Sequence, residues 1–411
     1  MKKIILTYHR VGEVVTDYNN TCITKDNFNR QMIQLKKHFL VLPMKEFLQY
    51  KGNKAVAAVT FDDGYSSFFY DVLPILEKYE IPVTLFITLH QDNSEFWMSD
   101  IMRMTFEGEY KDGYMRLNLC DQQINLSMKD VRDRVVAYNF LRRVFRHNSI
   151  ANASIILKDL HEQTQIPWKS RKNYRPLSIN QIKKISECEY ITLGAHTINH
   201  FSLGYMNGQA QKKEIIGCIK KLHQISGKDI EYFSYPFGSK NDYNEMTKAI
   251  LLENGIKAAF TTETRFLGEV EDEFAIPRIN CENCDGEEWL HYIKNVLEID
   301  ENTEGDVYIG QRSKDKRIEL ANRIVICGYG HRAEEIYNFL ENRKLHDRIV
   351  AFVDKNYMKI KETKYDNLRI QSYDDYIGDN SIDWIVQNQY DFEIINFLIN
   401  KKIKRIHWWI D

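Results

Sequence analysis

Short apolar runs alternate with longer segments of helical periodicity through most of the first 300 residues. The runs are rich in β-branched and aromatic residues, which favours strands, whereas apolar positions three or four apart favour helices. Strands and helices that alternate in this way predict an α/β fold with a mostly parallel sheet. The predicted strands are residues 4–9, 55–61, 82–89, 190–196, 230–236, 257–262 and 274–279.

The clearest predicted helix begins near Asp26, which we expect to be its N-cap. Phe28, Met32 and Leu35 follow at helical spacing and predict its buried face. A second amphipathic helix is predicted near 209–226.

The alternation is interrupted from about residue 92 to 175. This stretch is rich in Arg, Lys, Asn and Gln, and VRDRVVAYNFLRRVF has helical periodicity without a clear strand pattern. We therefore predict a mainly helical insertion. A solvated face is the simpler interpretation of its arginines, and a lid over a substrate is the alternative.

A polar and charged stretch at 301–322 has little to bury and predicts a linker. It divides a domain at 1–300 from a smaller one at 323–411. The second domain has five short apolar runs separated by helix-like pieces, which predicts a small doubly wound α/β domain.

Composition narrows the class of protein. The chain has 411 residues, 43% of them hydrophobic and 28% charged, as in ordinary globular proteins. Its net charge of -2 argues against a nucleic-acid partner. Seven scattered cysteines favour reduced thiols. Without a signal-peptide pattern or a transmembrane run of roughly 20 apolar residues, the expected location is cytoplasmic.

Two adjacent aspartates, Asp62 and Asp63, follow the predicted strand 55–61 and precede Gly64 in VTFDDGYS. Carboxyl ends of parallel strands form the edge where α/β enzymes hold their sites. For this segment alone, an aspartate-rich turn with a permissive glycine is the simpler interpretation.

Two histidines follow another predicted strand, in GAHTINH. His196 and His200 are four residues apart, so on a helical or turn-like segment they lie on one face and can bind one divalent ion. With one aspartate they make a facial metal site that leaves positions open for water and substrate. The second aspartate is then free to accept a proton from water whose pKa the ion lowers. This pattern indicates hydrolysis of an ester or amide.

Three segments in order, TFDDG, HTINH and YFSYPFG, resemble the metal-dependent polysaccharide deacetylases, the NodB-homology group or carbohydrate esterase family 4. The resemblance covers about residues 1–300. It implies a distorted (β/α) barrel, here with the helical insertion, that removes acetyl groups from N-acetylated or O-acetylated sugars. The domain after it resembles the small Rossmann-like domain that precedes bacterial sugar acetyltransferases.

The resemblance to the deacetylases also implies roles for individual residues. Asp62 would be the general base, and the backbone N–H of Phe237 would serve the oxyanion where the family usually has a tyrosine. The metal ligands would be Asp63, His196 and His200. The expected ion is Zn²⁺, with Co²⁺ and Ni²⁺ as alternatives.

The sequence departs from the family pattern in ways that point to two further residues. Ser234 stands where many members carry an arginine, so we expect Arg278 to supply the positive partner of Asp62, with a surface ion pair as the alternative. No convincing late apolar segment ends in the histidine that often acts as general acid. The opening LTYHRV resembles the subgroup with poly-N-acetylglucosamine deacetylases, which makes His9 the candidate acid and a structural histidine the alternative.

A glycine-rich turn marks the second domain. In ICGYGHRAEEI, Gly328, Gly330 and Ala333 lie between a predicted strand and a helix, and Asp354 ends the next strand. This arrangement is typical of sites for a nucleotide or nucleotide-sugar. Close packing without a ligand explains the same glycines equally well.

Together these patterns predict a metal-dependent hydrolase that removes the N-acetyl group from an acetamido sugar of a bacterial glycan. Its substrate would be an oligosaccharide, or a nucleotide-linked or lipid-linked sugar. The alternatives are a hydrolase of O-acetyl esters or of a non-sugar amide or formamide, and an inactive glycan-binding protein.

Overall fold

The chain forms two compact units, Met1–Leu290 and His291–Asp411, in a computed structural model. No helix among the described residues is long and apolar enough to cross a membrane. The described residues are 3–14, 17–89, 95–119, 122–146, 150–164, 166, 171–263, 272–298, 308–311, 322–328, 331–354, 368–377, 379, 381–386 and 406–410.

Parallel strands and outer helices make up most of the first unit. Its strands are β1 (Lys3–Tyr8), β2 (Arg10–Val11), β3 (Cys22–Ile23), β4 (Leu40–Val41), β5 (Val56–Phe61), β6 (Val83–Ile87), β7 (Tyr114–Leu119), β8 (Gln122–Ser127), β9 (Ile191–Ala195), β10 (Tyr232–Ser234), β11 (Ala258–Phe260) and β12 (Ile279–Asn280). The helices are α1 (Lys25–His38), α2 (Met44–Gln49), α3 (Leu73–Tyr79), α4 (Trp97–Glu107), α5 (Val131–Arg146), α6 (Ile150–Thr164), α7 (Ile179–Ser186), α8 (Gly208–Ser226) and α9 (Glu245–Glu253). Helix α10 (Gly286–Glu298) begins in the first unit and ends in the second.

The main sheet curls back on itself. Its strands are parallel and run in the order β11-β10-β9-β6-β5-β1-β12, with β4 also paired to β5. A further parallel bridge joins Phe260 to Ile276, so the segment before β12 also lies beside β11. The predicted α/β fold with a distorted barrel of parallel strands is confirmed.

Strands β1, β5 and β6 are buried along their whole length, which is expected of parallel strands covered on both faces. One core cluster includes Ile5, Ala58, Phe86, Tyr232 and Phe260, contributed by five different strands. This packing holds the strand ends in fixed positions.

One local prediction in the first unit is wrong, and the prediction of a mainly helical insertion is right but incomplete. The N-cap of α1 is Thr24, whose side chain accepts a hydrogen bond from the backbone N–H of Asn27. Asp26 lies inside the first turn, where its charge interacts favourably with the helix dipole. The insertion also contains an antiparallel hairpin of β7 and β8, because Met115 and Leu117 alternate with polar residues and are buried.

The hairpin packs with α4, α5 and α6 around one core cluster, which also includes Phe201 from outside the insertion. Trp97, Ile101, Tyr138, Leu141 and Phe145 are among its buried residues. The insertion is therefore a folded subdomain with helices and a hairpin.

The second unit contains a six-stranded parallel sheet. Its order is β13-β18-β17-β14-β15-β16, so the chain extends the sheet first on one side of β14 and then on the other. This reversal is characteristic of doubly wound sheets; the Rossmann-like assignment stays a prediction. The described elements are β13 (Tyr308–Gln311), β14 (Arg323–Cys327), α11 (His331–Asn342), β15 (Ile349–Val353), β16 (Ile370–Gln371), β17 (Ile382–Val386) and β18 (Ile406–Ile410).

Strand β13 lies within the stretch predicted as a linker. Its parallel pairing with β18 gives its backbone groups hydrogen-bond partners. The linker prediction is therefore wrong at these four residues, and most of the remainder of 301–322 lies outside the described residues.

Candidate metal centre and active site

Neighbouring parallel strands deliver the candidate residues to one edge of the sheet. Tyr8 and Phe61 are paired, so His9 and Asp62 follow β1 and β5 at the same level. His196 follows β9, and its backbone N–H donates to the carbonyl of Ile87 at the end of β6. Residues far apart in sequence thus meet where these strands end.

Asp63, His196 and His200 form a buried cluster. Asp63 Oδ1 lies 3.4 Å from His196 Nε2 and 3.2 Å from His200 Nε2. One potential ligand atom from each residue lies within 4.8 Å of the other two. Asp63 Oδ1 is buried without a hydrogen-bond partner, an arrangement that costs free energy unless a cation occupies the space between these atoms. The set of one carboxylate and two imidazoles fits a divalent transition metal.

A hydrogen bond fixes the orientation of the His196 ring. Its Nδ1 lies 2.7 Å from the carbonyl oxygen of Ser234. A carbonyl oxygen can only accept a hydrogen bond. The Nδ1 therefore carries a proton, and Nε2 is the ring nitrogen that faces Asp63. Such outer contacts to ligand histidines are typical of metal sites.

Burial and the neighbouring groups shift the pKa values of all three residues in this cluster. Burial raises the pKa of Asp63, but the neighbouring His196 and His200 outweigh it and hold that pKa well below its usual range. Burial alone would lower the pKa of His196, yet Asp63, Asp62 and the Ser234 carbonyl raise it. For His200 burial dominates, and its pKa is lowered.

The chain around the three candidate ligands is strained. Asp63, Thr197 and His200 have φ angles of 70°, 66° and 56°, a left-handed conformation that is unfavourable for residues with a side chain. Each such residue costs on the order of 1–3 kcal/mol and persists only where its surroundings enforce it. Left-handed backbone at these positions therefore requires specific support.

Glu214 of α8 supplies part of that support, in the loop that carries Thr197 and His200. Its carboxylate accepts hydrogen bonds from the backbone N–H groups of Ile198 and Asn199, at 3.0 and 2.9 Å, and from the side-chain amide of Asn199. Thr197 Oγ1 also accepts from the N–H of His200. Sequence reasoning missed Glu214, because nothing local links a helical glutamate to a loop 14 or more residues earlier.

Asp62 is bound by Arg278. Two guanidinium nitrogens donate to its two carboxylate oxygens, each at 2.7 Å, and both side chains are buried. Ser234 Oγ donates to Asp62 at 2.9 Å and accepts from Arg278 at 2.8 Å. Arg278 also donates to Thr60 Oγ1 and to the carbonyl of Thr261. The alternative of a surface ion pair for Arg278 is therefore wrong, because both side chains of the pair are buried.

This pairing keeps Asp62 ionised. Burial by itself raises the pKa of Asp62, but the charge and hydrogen bonds of Arg278, with smaller effects from His196 and His9, lower it to about 2. Asp62 is therefore an acceptor that stays charged from acidic pH upward.

His9 and Phe237 both lie near this cluster. His9 is half-buried, and its charge helps lower the pKa values of Asp62 and Asp63. The Phe237 ring lies 5.1 Å from the ring of His200. Among the described residues, no acceptor forms a hydrogen bond with the backbone N–H of Phe237. The φ angle of Phe237 is 63°. Gly238 follows at φ 67°, where a Cβ would lie 2.6 Å from the backbone nitrogen of Thr262.

The candidate nucleotide residues lie in the second unit. Gly328 follows β14 with φ 85°, and its N–H donates to the carbonyl of Val353 at 2.6 Å. Asp354 follows β15 and is half-buried. Gly330 lies outside the described residues.

The curled parallel sheet and its Asp/His/His cluster define an α/β domain with a candidate metal site at the ends of its strands. The family model described as "Polysaccharide deacetylase" matches residues 49–113 and 162–259. The residues between the two matched segments belong to the insertion. The first unit therefore carries a polysaccharide deacetylase domain.

Curated relatives include poly-beta-1,6-N-acetyl-D-glucosamine N-deacetylases from several strains of Staphylococcus aureus. They are 26% identical over 188 residues, which is 41% of this chain and 60% of theirs. The chain thus spans about three-fifths of the length of the curated relatives it matches.

Similar solved structures include the deacetylase PplD of Streptococcus pyogenes in complex with acetate, at 17% identity and a TM-score of 0.46, covering 71% of this chain and 98% of that one. A de-N-acetylase from Aggregatibacter actinomycetemcomitans is 13% identical with a TM-score of 0.44, covering 72% of this chain and 99% of that one.

Proposed function

We propose that the protein is a metal-dependent deacetylase that hydrolyses the N-acetyl group of an acetamido sugar in bacterial glycan biosynthesis. The observation that carries the proposal is the buried Asp63, His196 and His200 cluster beside an Asp62 held ionised by Arg278. The N-deacetylase names of the curated relatives support the same reaction.

Asp63, His196 and His200 would hold the ion, and the nitrogen-rich donor set favours Zn²⁺, with Co²⁺ or Ni²⁺ as alternatives. When bound, a divalent ion lowers the pKa of water and polarises a carbonyl. This is needed because a carboxylate with a pKa of about 2 is a weak base and accepts protons efficiently only from an acidified water.

Three residues of the chain then have separate roles in amide hydrolysis. Asp62 takes a proton from water as its oxygen bonds to the acetyl carbon. The backbone N–H of Phe237 donates to the oxyanion that forms. Protonated His9 donates to the leaving nitrogen as the C–N bond breaks, which leaves acetate and an amino sugar.

The proposed substrate is an acetylated sugar inside the cell: an oligosaccharide, or a nucleotide-linked or lipid-linked intermediate. Among the described residues, Cys22, Cys188, Cys218, Cys281 and Cys284 form no disulfide, as expected in a reducing compartment. This supports a cytoplasmic reaction on a biosynthetic intermediate. Recovery of the protein from an oxidising extracellular fraction would contradict that location.

We also propose that the second unit binds a nucleotide or nucleotide-sugar. The support is the reversal of strand order at β14, where ligands of doubly wound sheets bind, together with the left-handed Gly328 at the end of that strand.

The deacetylase proposal is tested by measuring bound metal and acetate release for the wild type, Asp63→Asn, Asp62→Asn and His9→Ala. A β-1,6-linked N-acetylglucosamine oligomer serves as the probe, with an O-acetylated sugar in parallel. We expect Asp63→Asn to lose metal and activity. We expect Asp62→Asn and His9→Ala to keep metal and to lose at least about a hundredfold in rate, the typical contribution of a general acid or base.

Other outcomes separate the alternatives. Full metal occupancy and turnover in Asp63→Asn would refute the metal assignment. Release from the O-acetylated sugar alone would favour the esterase, and glycan binding without acetate release would favour the inactive binding protein.

A further inference from the structure

Asp242 connects three segments around the candidate active site. Its side chain is wholly buried. It accepts hydrogen bonds from Ser202 Oγ at 2.7 Å, from the backbone N–H and hydroxyl of Ser239, and from two guanidinium nitrogens of Arg146. Ser202 lies two residues after His200, and Ser239 lies two residues after Phe237. Arg146 is the last residue of α5, in the insertion.

Arg146 has a second contact that concerns the candidate oxyanion donor directly. Its guanidinium lies over the ring of Phe237, 4.9 Å from the ring centre, and it also donates to Ser239 Oγ at 2.8 Å. The ring of Phe237 in turn contacts His200. The arginine therefore holds both ends of the segment from Phe237 to Asp242.

This segment needs such a restraint. Phe237 and Gly238 are consecutive left-handed residues, and left-handed backbone at a residue with a side chain persists only when its surroundings enforce it. Thr262 restrains the segment on one side, since its hydroxyl donates to the Phe237 carbonyl. Arg146 and Asp242 restrain it on the other.

We propose that Arg146 is a positioning residue that fixes the Phe237 peptide so that its N–H points at the oxyanion. This inference rests on the proposed deacetylase function. It makes the insertion part of the active-site machinery rather than a peripheral subdomain. Arg143, one turn earlier on the same helix, is exposed, so the solvated-face interpretation holds for that arginine and not for Arg146.

The test compares Arg146→Ala and Arg146→Lys with Arg143→Ala as the matched control. The measurements are kcat and KM for acetate release from the β-1,6-linked oligomer, metal bound per chain, and amide hydrogen exchange of the segment 235–243. We expect Arg146→Ala to lower kcat about tenfold or more, because a misplaced oxyanion donor weakens mainly the transition state. KM and bound metal should stay near wild type, and exchange of the segment should be faster.

The kcat of Arg146→Lys should fall between the values for the wild type and Arg146→Ala. Lysine keeps a positive charge beside Asp242 but loses the bidentate hydrogen bonds of the guanidinium. Arg143→Ala should match the wild type in all four measurements. A purely structural role would lower the melting temperature but leave kcat per metal-loaded enzyme unchanged, and that result would overturn the proposal.

Amide exchange keeps this inference separate from the proposed function. If the wild type released no acetate, the deacetylase proposal would fail. Unchanged exchange of 235–243 in Arg146→Ala would overturn the positioning role whatever the activity. Loss of bound metal in that variant would also overturn it, because the arginine would then act on the ligands rather than on the Phe237 peptide.

Discussion

Asp62 and Asp63 are adjacent in sequence but differ in their partners. Asp62 is paired with Arg278, whereas Asp63 faces two imidazoles and has a buried oxygen without a hydrogen bond. The backbone of Asp63 is also left-handed, with a φ angle of 70°. One strand end can therefore present a charge-neutralised acceptor and a metal ligand side by side.

Replacing Arg278 with glutamine should show how strongly Asp62 depends on it. Removal of one partner from a buried ion pair typically costs about 3–5 kcal/mol of folding free energy. Urea denaturation at neutral pH measures this loss. Arg116→Gln is the matched control, because Arg116 pairs with Asp112 at the surface, where such pairs contribute about 0–1 kcal/mol. Equal losses in the two variants would contradict the assignment.

The same variant should change the pH dependence in a defined direction. The folded-state pKa of Asp62 is about 2 against an ordinary value of 3.8. Its ionised form therefore stabilises the fold above about pH 4, and this contribution is lost as the pH falls toward 2. Without Arg278, burial remains and raises the pKa, so the acid limb of kcat/KM should shift to higher pH. An unchanged acid limb would exclude Asp62 as the base.

The loop between β9 and α8 carries both candidate histidine ligands and depends on one carboxylate. Glu214 receives the N–H groups of Ile198 and Asn199, so it stabilises the turn that brings His200 back toward Asp63. These hydrogen bonds stabilise the loop as a whole rather than any single ligand.

We predict that Glu214→Gln weakens metal binding without removing a ligand. An amide keeps one acceptor oxygen but directs an NH₂ group at donors, so the loop should relax. Outer contacts of metal sites typically contribute about 10–100-fold in affinity. Competition with a chelator measures the Kd. Glu253→Gln, an exposed change on α9, should leave it unchanged, and the same Kd for both variants would contradict the role of Glu214.

The local pattern of apolar and polar residues was sufficient to predict some secondary-structure elements but not others. The buried strands β1, β5, β6 and β9 could be read from their apolar runs. The hairpin was missed because Met115 and Leu117 give only a short alternation with polar residues. Strand β13 was missed because its sequence is stabilised by pairing with β18 nearly 100 residues later, which no local signal records.

The same limit explains which site residues could be predicted. Asp62, Asp63, His196 and His200 lie in two short motifs whose spacing reflects their joint chemistry. Glu214, Asp242 and Arg146 act through contacts between distant segments, and Arg146 lies 96 residues from its partner Asp242. Arg278 could be predicted only because Ser234 stands where an arginine is expected. The positive partner of Asp62 then had to come from elsewhere in the chain.

Across the whole molecule, the two units have separate cores. The candidate metal ligands lie in the first unit. Ile324, Ile326, Ile336, Leu340 and Phe352 belong to a core of the second. A unit with its own core is expected to unfold cooperatively by itself, so ligands of each unit should stabilise different transitions.

We predict that a nucleotide ligand raises only the second unit's melting transition in the full-length protein. A ligand at 100 times its Kd stabilises its binding unit by about 2.7 kcal/mol. Thermal scans with UDP-N-acetylglucosamine, UDP, NAD and ATP measure the shift, and chelation of metal should lower the other transition and so assign it. Asp354→Asn should reduce any nucleotide shift, because an acidic residue at this position binds the ribose hydroxyls in dinucleotide folds. If none of the four ligands moves the second transition, the left-handed turn at Gly328 serves close packing of strand and helix instead.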